Sequence, residues 1–368
     1  MNMLLLTNED VEQILDMSTC LEALETGYRD LSENNATHRP RSGLIVASAP
    51  SQEFSDAHFH FGSMEGASRT IGTFAIRMKS DINYTDNGRL KKYCVEPGTY
   101  CGLVMIFSIF NGEPLAIMPD GIIQHMRVGG TAGLGAKYLA NPDSSVAGII
   151  GSGGMARTFL WAFKEVLPIE TAKVFSPTEA NRKSFAVEMT DKLGIDVIAV
   201  DNIEELIKGS DVVATCTDAG EAVVHDPGLI NEGVYLTDNT PSEWGHNIIE
   251  KADVRVRLSW ANVQFPEPGT TRVGGEYLYV AGQTDELSRI PQPKTAIPIG
   301  VDYWPHLADV ISGDFKGRTS TNEVVYFNNH GSQGLQFATV GGRVFQIAKE
   351  KGIGKEIPTE WFLQDIRD

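Results

Sequence analysis

The stretch Ser144–Val166 reads SSVAGIIGSGGMARTFLWAFKEV. An apolar run, Val146–Ile150, leads directly into Gly151-Ser152-Gly153-Gly154-Met155-Ala156, and a helical pattern follows. The hexapeptide fits G-x-G-x-x-[GA], a string that means little alone. With a strand before it and a helix after it, it acquires a chemical reading. Gly151 permits the tight turn, Gly153 lets the backbone approach a pyrophosphate, and Ala156 allows close packing of helix on strand. The helix N-terminus adds N–H groups and the positive end of its dipole. The competing reading is an ordinary glycine-rich turn. The context predicts a dinucleotide cradle opening a Rossmann unit.

Downstream, strand and helix patterns alternate. Strands are expected at Ala172–Phe175, Asp196–Val200 and Asp211–Thr215, and helices at Glu179–Leu193 and Ile203–Lys208. Apolar runs at Val234–Thr237 and Val254–Leu258 offer further strands. Such alternation implies a parallel sheet with right-handed crossovers. The second strand of such a unit usually ends near an acid that holds the adenosine ribose. Here the residues are Val174-Phe175-Ser176-Pro177-Thr178, with Asn181, Arg182 and Lys183 beyond. A carboxylate would repel a 2′-phosphate, whereas a hydroxyl with nearby cations accepts one. Ser176, Thr178 and Arg182 therefore favour NADP(H) over NAD(H). Glu179 could partly replace the missing acid, and Arg182 and Lys183 also read as a solvated helix face. Thr215-Cys216-Thr217 ends a later strand; it is a candidate nicotinamide-side wall and equally a plain strand end.

Upstream, Val11, Ile14, Leu15, Leu21, Leu24, Tyr28 and Leu31 recur at helical spacing, so residues 8–34 read as one or two amphipathic helices. Strand-like runs at Gly43–Ala49, Thr73–Met78, Tyr100–Phe110 and Pro114–Met118 suggest an antiparallel sheet, with a hairpin at Asn111-Gly112. Residues 120–140 read as a helix despite five glycines, which imply close backbone packing or a nearby ligand. The tail offers an apolar run at Val324–Phe327 and a helix at about Phe337–Lys349. The expected fold class is α/β: a Rossmann domain, 141–321, inserted into an α+β substrate-binding and dimerisation domain made of 1–140 plus 322–368.

The chain has 368 residues, enough for two domains at roughly 100–200 residues each. Its net charge of −17 argues against nucleic-acid or anionic-membrane partners, which need clustered cations. The four cysteines are scattered, which fits a reducing, cytoplasmic setting better than a disulfide framework. The N-terminus lacks a signal-peptide pattern, and no stretch of 18 apolar residues offers a membrane span.

Together Arg39-Pro40-Arg41, the helix with Arg127, NPDSSVAGIIGSGGMA, VVATCT and the tail HLADVISGDFKGRTSTNEVVYFNNHG resemble the ornithine cyclodeaminase/μ-crystallin family, from about Leu6 to Gly354. The resemblance implies a homodimer whose antiparallel sheets form a shared barrel. It also implies a nicotinamide cofactor facing a substrate α-carboxylate, with hydride transfer at an amino-acid Cα through an imine.

In relatives, three cations hold that carboxylate. Arg41 matches the first and Arg127, in QHMRVGGTAG, the third, although the family more often has Arg-Thr-Ala-Ala there. For the second, ungapped comparison favours Arg77 and residue type favours Lys79; the two lie on one face of a strand. Arginine suits bidentate carboxylate binding. Each of these cations also reads as the partner of a surface acid. The cyclodeaminase aspartate that handles amine and water falls on Thr240-Pro241, and proline is no acid. Asp238 is the nearest substitute, with a strand-end cap as its bland reading, and Glu243 is a weaker one. Lys79 and Asp238 are thus the candidate catalytic groups.

His58-Phe-His-Phe61 and an insertion near Tyr84–Tyr93 depart from short family members and are expected to reshape the pocket; no third ligand suggests a metal beside His58 and His60. The first expected function is an NAD(P)-dependent imine (ketimine) reductase or amino-acid dehydrogenase for a small amino or imino acid. A lyase of the ornithine-cyclodeaminase type, releasing ammonia with catalytic NAD, is the second. A μ-crystallin-like protein that binds NADPH and a small ligand is the third.

Overall fold

The computed structural model describes residues 2–47, 54–240, 243–259, 270–273, 276–281 and 303–366. The chain opens with β1 (Asn2–Leu5), α1 (Asn8–Ile14) and α2 (Met17–Ser32). Thr7 and Asp16 cap these helices through their side chains, Thr7 in a reciprocal capping box with Asp10. Six strands follow: β2 (Ala36–His38), β3 (Ser42–Val46), β4 (His58–Ser68), β5 (Thr73–Asp86), β6 (Arg89–Tyr93) and β7 (Gly102–Ser108). Then come β8 (Pro114–Pro119) and the long helix α3 (Gly121–Leu139). The expected run Gly43–Ala49 forms β3 as far as Val46; its residues 48 and 49 lie outside the described residues.

The second half comprises β9 (Val146–Ile150), α4 (Gly154–Val166), β10 (Thr171–Phe175), α5 (Glu179–Leu193), β11 (Asp196–Ala199), α6 (Ile203–Ile207) and β12 (Val212–Thr215). It continues through β13 (Tyr235–Asp238), α7 (His246–Lys251), β14 (Val254–Ser259), β15 (Thr270–Val273) and β16 (Glu276–Ala281). It closes with α8 (Leu307–Ser312), β17 (Val325–Gly331), α9 (Gln333–Lys351) and β18 (Lys355–Pro358). One sheet has seven strands in the order β11-β10-β9-β12-β13-β17-β14, every pair parallel. This is the doubly wound sheet that the glycine motif predicted.

The other sheet has eleven strands, along the path β15-β16-β3-β4-β5-β7-β8-β1-β18 with β2 and β6 attached. Its centre, β3 to β8, is antiparallel; β16–β3 and β1–β8 are parallel, so the sheet as a whole is mixed.

Strand membership departs from boundaries at 141 and 322. Strand β17 lies between β13 and β14 in the parallel sheet, and β15–β16 cross back to the other sheet through β3. The chain therefore passes between the sheets more often than a single insertion requires. An apolar run fixes strand character, but not which sheet receives the strand.

The glycines of α3 serve packing. A Cβ at Gly129 would lie 2.5 Å from the Thr158 backbone, and one at Gly133 2.6 Å from the Ala162 Cβ, so α3 and α4 meet nearly backbone to backbone. Helix α9 docks on β4 in the same way, since a Cβ on Gly334 would sit 1.9 Å from the Glu65 carbonyl oxygen. Gly334→Ala should therefore push the helix off the sheet and cost about 1–3 kcal/mol or more. A melting temperature within a degree of wild type would contradict this account of the helix–sheet contact.

Candidate active site

The C-terminal ends of β9, β10, β12, β13 and β17 share one edge of the parallel sheet, where ligands bind in this architecture. Gly151 has φ of +121°, and a Cβ there would lie 2.2 Å from the Cys216 carbonyl oxygen, so no other residue fits. Gly153 and Gly154 are exposed at the N-terminus of α4, and nothing lies within 4 Å of a Cβ built on Gly153. No side chain caps that helix, so its first N–H groups have no side-chain acceptor among the described residues. Ala156 is buried and Met155 half-buried. The loop thus fits the pyrophosphate of a dinucleotide. Arg157, which the motif did not single out, braces it: Nη1 donates to the Ser152 carbonyl at 2.6 Å, while Nη2 pairs with Glu188 at 2.6 Å.

At the end of β10, Ser176 is buried, and its hydroxyl accepts from Ser152 Oγ at 3.0 Å. Thr178 is exposed as the N-cap of α5. Arg182 is not a solvated helix residue. It is buried, donates to the Ser176 carbonyl at 3.2 Å and pairs with Asp201 at 2.7 Å. The solvated pair is Lys183 with Glu179, at 2.5 Å.

At the end of β12, Thr215 Oγ1 and the Thr217 N–H both donate to the Glu243 carboxylate, at 3.3 and 2.5 Å, and Cys216 is buried beneath Gly151. Burial, then Glu243 and Asp238, push the Cys216 thiol up, so it is neutral. Glu243 also accepts from the Asn239 and Thr240 N–H groups, at 3.1 and 2.9 Å. It is a fully buried carboxylate that ties two strand ends together. Pro241 lies outside the described residues.

The candidate cations Arg41, Arg77 and Arg127 lie close enough together that the first two lower the pKa of the third. Residues 75, 77, 79, 81 and 83 of β5 are all buried while their neighbours alternate outward, so Arg77 and Lys79 do share the inner face. Arg77 is bound to Asp120 through Nε at 2.7 Å and Nη2 at 2.5 Å. Lys79 crosses Gly62 of β4 and pairs with Asp81 at 3.2 Å. The guanidiniums of Arg77 and Arg127 both lie over the Phe337 ring, 5.8 and 5.1 Å from its centroid.

Arg127 is buried, and both its hydrogen-bond partners are carboxamides: Gln336 Oε1 at 2.6 Å and Gln124 Oε1 at 2.8 Å. Burial first, then Arg77 and Arg41, pull its pKa down to about 9, still cationic at neutral pH. Arg41, just before β3, is half-buried, and Arg39 pairs with Glu65 at 3.0 Å. Asn83 Nδ2 meets His60 Nδ1 at 3.0 Å on the same buried face of β4 and β5 as Lys79 and Asp81. Among the described residues, no group of three or more His, Cys, Asp or Glu could hold a metal.

Asp238 is a candidate acid and equally a strand-end cap. It is fully buried at the end of β13, where it accepts from the Tyr326 hydroxyl and, at 3.3 Å, from the Asn329 N–H. Burial, and to a lesser degree Glu243, raise its carboxyl well above the usual range. His330, passed over in the sequence, sits at the end of β17 under the influence of Arg41 and Arg127. Burial and those two cations lower its pKa to about 4, so the imidazole is neutral.

The sequence profile of the Ornithine cyclodeaminase/mu-crystallin family matches residues 1–339. Delta(1)-pyrroline-2-carboxylate reductase of Bacillus cereus (strain ZK / E33L) is 25% identical over 287 residues, 78% of this chain and 81% of that protein. Alanine dehydrogenase of Archaeoglobus fulgidus is 26% identical over 360 residues, 97% of this chain and 98% of that one. The structure of Thermococcus litoralis Delta(1)-pyrroline-2-carboxylate reductase in complex with NADH and L-proline is similar with a TM-score of 0.73 at 25% identity, covering 96% of this chain and 100% of the other. With the doubly wound sheet, the glycine loop and the facing arginines in place, the chain belongs to the ornithine cyclodeaminase/mu-crystallin family.

Proposed function

We propose that this protein is an NAD(P)-dependent imine reductase or amino-acid dehydrogenase acting on a small α-amino or α-imino acid. One observation carries the reading: Arg127 is a buried guanidinium held by neutral amides and backed by a second guanidinium, Arg77, on the same ring. A buried cation without a matched anion is costly unless a ligand supplies one. A substrate carboxylate is the natural counterion. The exposed glycines Gly153 and Gly154 at the start of α4 fit a dinucleotide pyrophosphate, and the relatives named pyrroline-carboxylate reductase and alanine dehydrogenase are named for molecules of the proposed class. A dinucleotide bound there supplies or accepts the hydride at the substrate Cα. Arg41, Arg77 and Arg127 hold the carboxylate, which fixes where that Cα lies.

The lyase reading is weaker, because the position of the family's aspartate falls on Thr240-Pro241 and Asp238 is enclosed. We assign Asp238 to the seam between β13 and β17. We assign Lys79 to the pocket wall beyond Arg77, where it accompanies Asp81. A binding protein without turnover would share the clamp and the glycine loop, and net NAD(P)H change on substrate addition separates it from the enzyme. NADP(H) is the proposed preference. The end of β10 offers the Ser176 hydroxyl instead of a carboxylate, with Arg182 directly behind it. A homodimer is also proposed. The outer face of the central strands carries Phe61, Phe74, Ile76, Met78, Met105 and Phe107, all only half-buried, and a second copy would cover them.

Arg127→Met should lower kcat/KM by about 10- to 150-fold, the loss of one charge-assisted hydrogen bond of roughly 1.5–3 kcal/mol. Dinucleotide affinity should stay nearly unchanged. Unaltered catalytic efficiency in the folded variant would remove Arg127 from the site. Ser176→Asp should turn the coenzyme preference toward NADH through like-charge repulsion of the 2′-phosphate. Fluorescence titration of wild type with tighter NADH than NADPH binding would overturn the NADP(H) assignment. Light scattering should give twice the 40.2 kDa chain mass, and Ile76→Lys should halve it; a wild-type mass of one chain would exclude the dimer.

A further inference from the structure

Arg127 is surrounded by groups that orient it without neutralising it. Gln336 is fully buried and its amide is fully used. Oε1 accepts from Arg127 Nη1 at 2.6 Å, while Nε2 donates to the Tyr28 hydroxyl at 2.9 Å and to the Gly331 carbonyl at 3.0 Å. The carbonyl of Gly331 demands a donor, so a glutamate at 336 would set an anionic oxygen against it. Burial pushes the Tyr28 phenol up, so that group is neutral as well. On the other side, Gln124, one turn earlier on α3, accepts from Arg127 Nη2 at 2.8 Å. Arg127 Nε is buried with no hydrogen-bond partner among the described residues. The nearby carboxylate, Asp120, is held by Arg77 through two nitrogens.

We infer that Gln124 and Gln336 are positioning residues that keep Arg127 aimed but electrically uncompensated, and that this carboxamide cradle makes the site select substrates by their negative charge. The inference rests on the reading of Arg127 as the carboxylate-binding group. A glutamate at either position would give the empty site its own counterion, and an incoming carboxylate would then meet a neutral ion pair and lose its hydration for little return. With amides, the full charge of Arg127 is kept for the ligand. The free protein bears the cost as a buried, unbalanced guanidinium, which is a stability–function trade.

Gln124→Glu tests this cleanly, because Gln124 Oε1 already meets Arg127 and no described donor bond of Gln124 is lost. Two probes are used: pyrrole-2-carboxylate, a planar anion with no reducible imine, and pyrrole-2-carboxamide, its neutral counterpart. The wild type should gain melting temperature with the carboxylate and not with the amide. Gln124→Glu should melt higher than wild type without ligand and bind the carboxylate at least about 10-fold more weakly.

Glutamate early in a helix also stabilises through the helix dipole, so the variant is repeated in an Arg127→Met background. The stabilisation should vanish there. If it persists in that background, or if Gln124→Glu retains wild-type carboxylate affinity, the cradle is refuted. Gln336→Met, which keeps the charge but frees the guanidinium, should weaken carboxylate binding while adding no stability; unchanged binding would refute its positioning role. Carboxylate binding by a wild type that turns over no amino or imino acid would end the enzyme reading and leave the cradle intact. Turnover by a wild type indifferent to the charge of the probe would do the reverse.

Discussion

Strand β17 ends in the parallel sheet, and three residues later Gly334 is pressed against the backbone of β4 in the other sheet. The reversal is made by Gly331 at φ +122° and Ser332 at φ +49°, the second a left-handed conformation that costs a serine about 1 kcal/mol or more. Tyr326 and Asn329, before this turn, hold Asp238; Gln336, after it, holds Arg127 and reaches back to the Gly331 carbonyl. The turn therefore sets the distance between the edge that carries the glycine loop and the face that carries the arginines. A hydride can move only if a substrate bound to one is in register with a cofactor bound to the other, so this short segment constrains the chemistry more than any single ligand-facing residue.

Two buried ionisable groups near that turn respond to burial differently. Asp238 starts with a pKa far below neutrality; enclosure raises it well above the usual range, which favours the proton over the charge. Arg127 starts so high that burial and its cationic neighbours bring it only to about 9, and the charge survives at pH 7. His330, pulled to about 4, adds no charge. The same low-dielectric surroundings thus leave a persistent guanidinium beside a neutral imidazole and, across the seam, an enclosed carboxyl. The positive charge of Arg127 survives burial because arginine starts from a far higher pKa, inside a chain whose overall charge is −17.

The parallel sheet was legible because its signals are local. A strand, a glycine turn and a helix lie within the 23 residues of Ser144–Val166, and strands and helices then alternate with turn residues between them. What was not legible depends on long-range pairing. Strand β17 reads as an apolar run near the C-terminus, and nothing in Val324–Phe327 says that it enters between β13 and β14. The insertion near Tyr84–Tyr93 is a hairpin on Asn87-Gly88, both with positive φ, a turn signal as explicit as Asn111-Gly112 but masked by its polar flanks. At the candidate site, Arg41, Arg77, Lys79 and Arg127 can be picked out by residue type and family spacing. Gln124 and Gln336 cannot, because a glutamine has no sequence signature that separates a surface amide from one buried against a guanidinium. Arg182 shows the same limit from the other side: its helix neighbour Lys183 is solvated while it is buried, and helical position alone does not tell the two apart.

The groups at the ends of β12 and β13 bear on which family chemistry the site suits. Adding water to an imine and expelling ammonia, a step that a cyclodeaminase and a deaminating amino-acid dehydrogenase share, needs an acid–base group that touches both substrate and solvent, since protons must arrive and leave with the water. Here Asp238 is enclosed and faces Tyr326, Cys216 is a buried neutral thiol beneath the glycine loop, and Glu243 is occupied by four donors from two strand ends. Reduction of a preformed imine, the other half of the proposed chemistry, places different demands on the protein. It gains from a dry pocket and a fixed Cα, and it needs one proton per turnover at the nitrogen rather than a bound, activated water. A neutral imidazole beside the clamp, at the end of β17, is consistent with that lighter requirement. A bound carboxylate would offset the two smaller causes of the lowered His330 pKa, Arg41 and Arg127, while burial, the largest, would still hold the imidazole neutral.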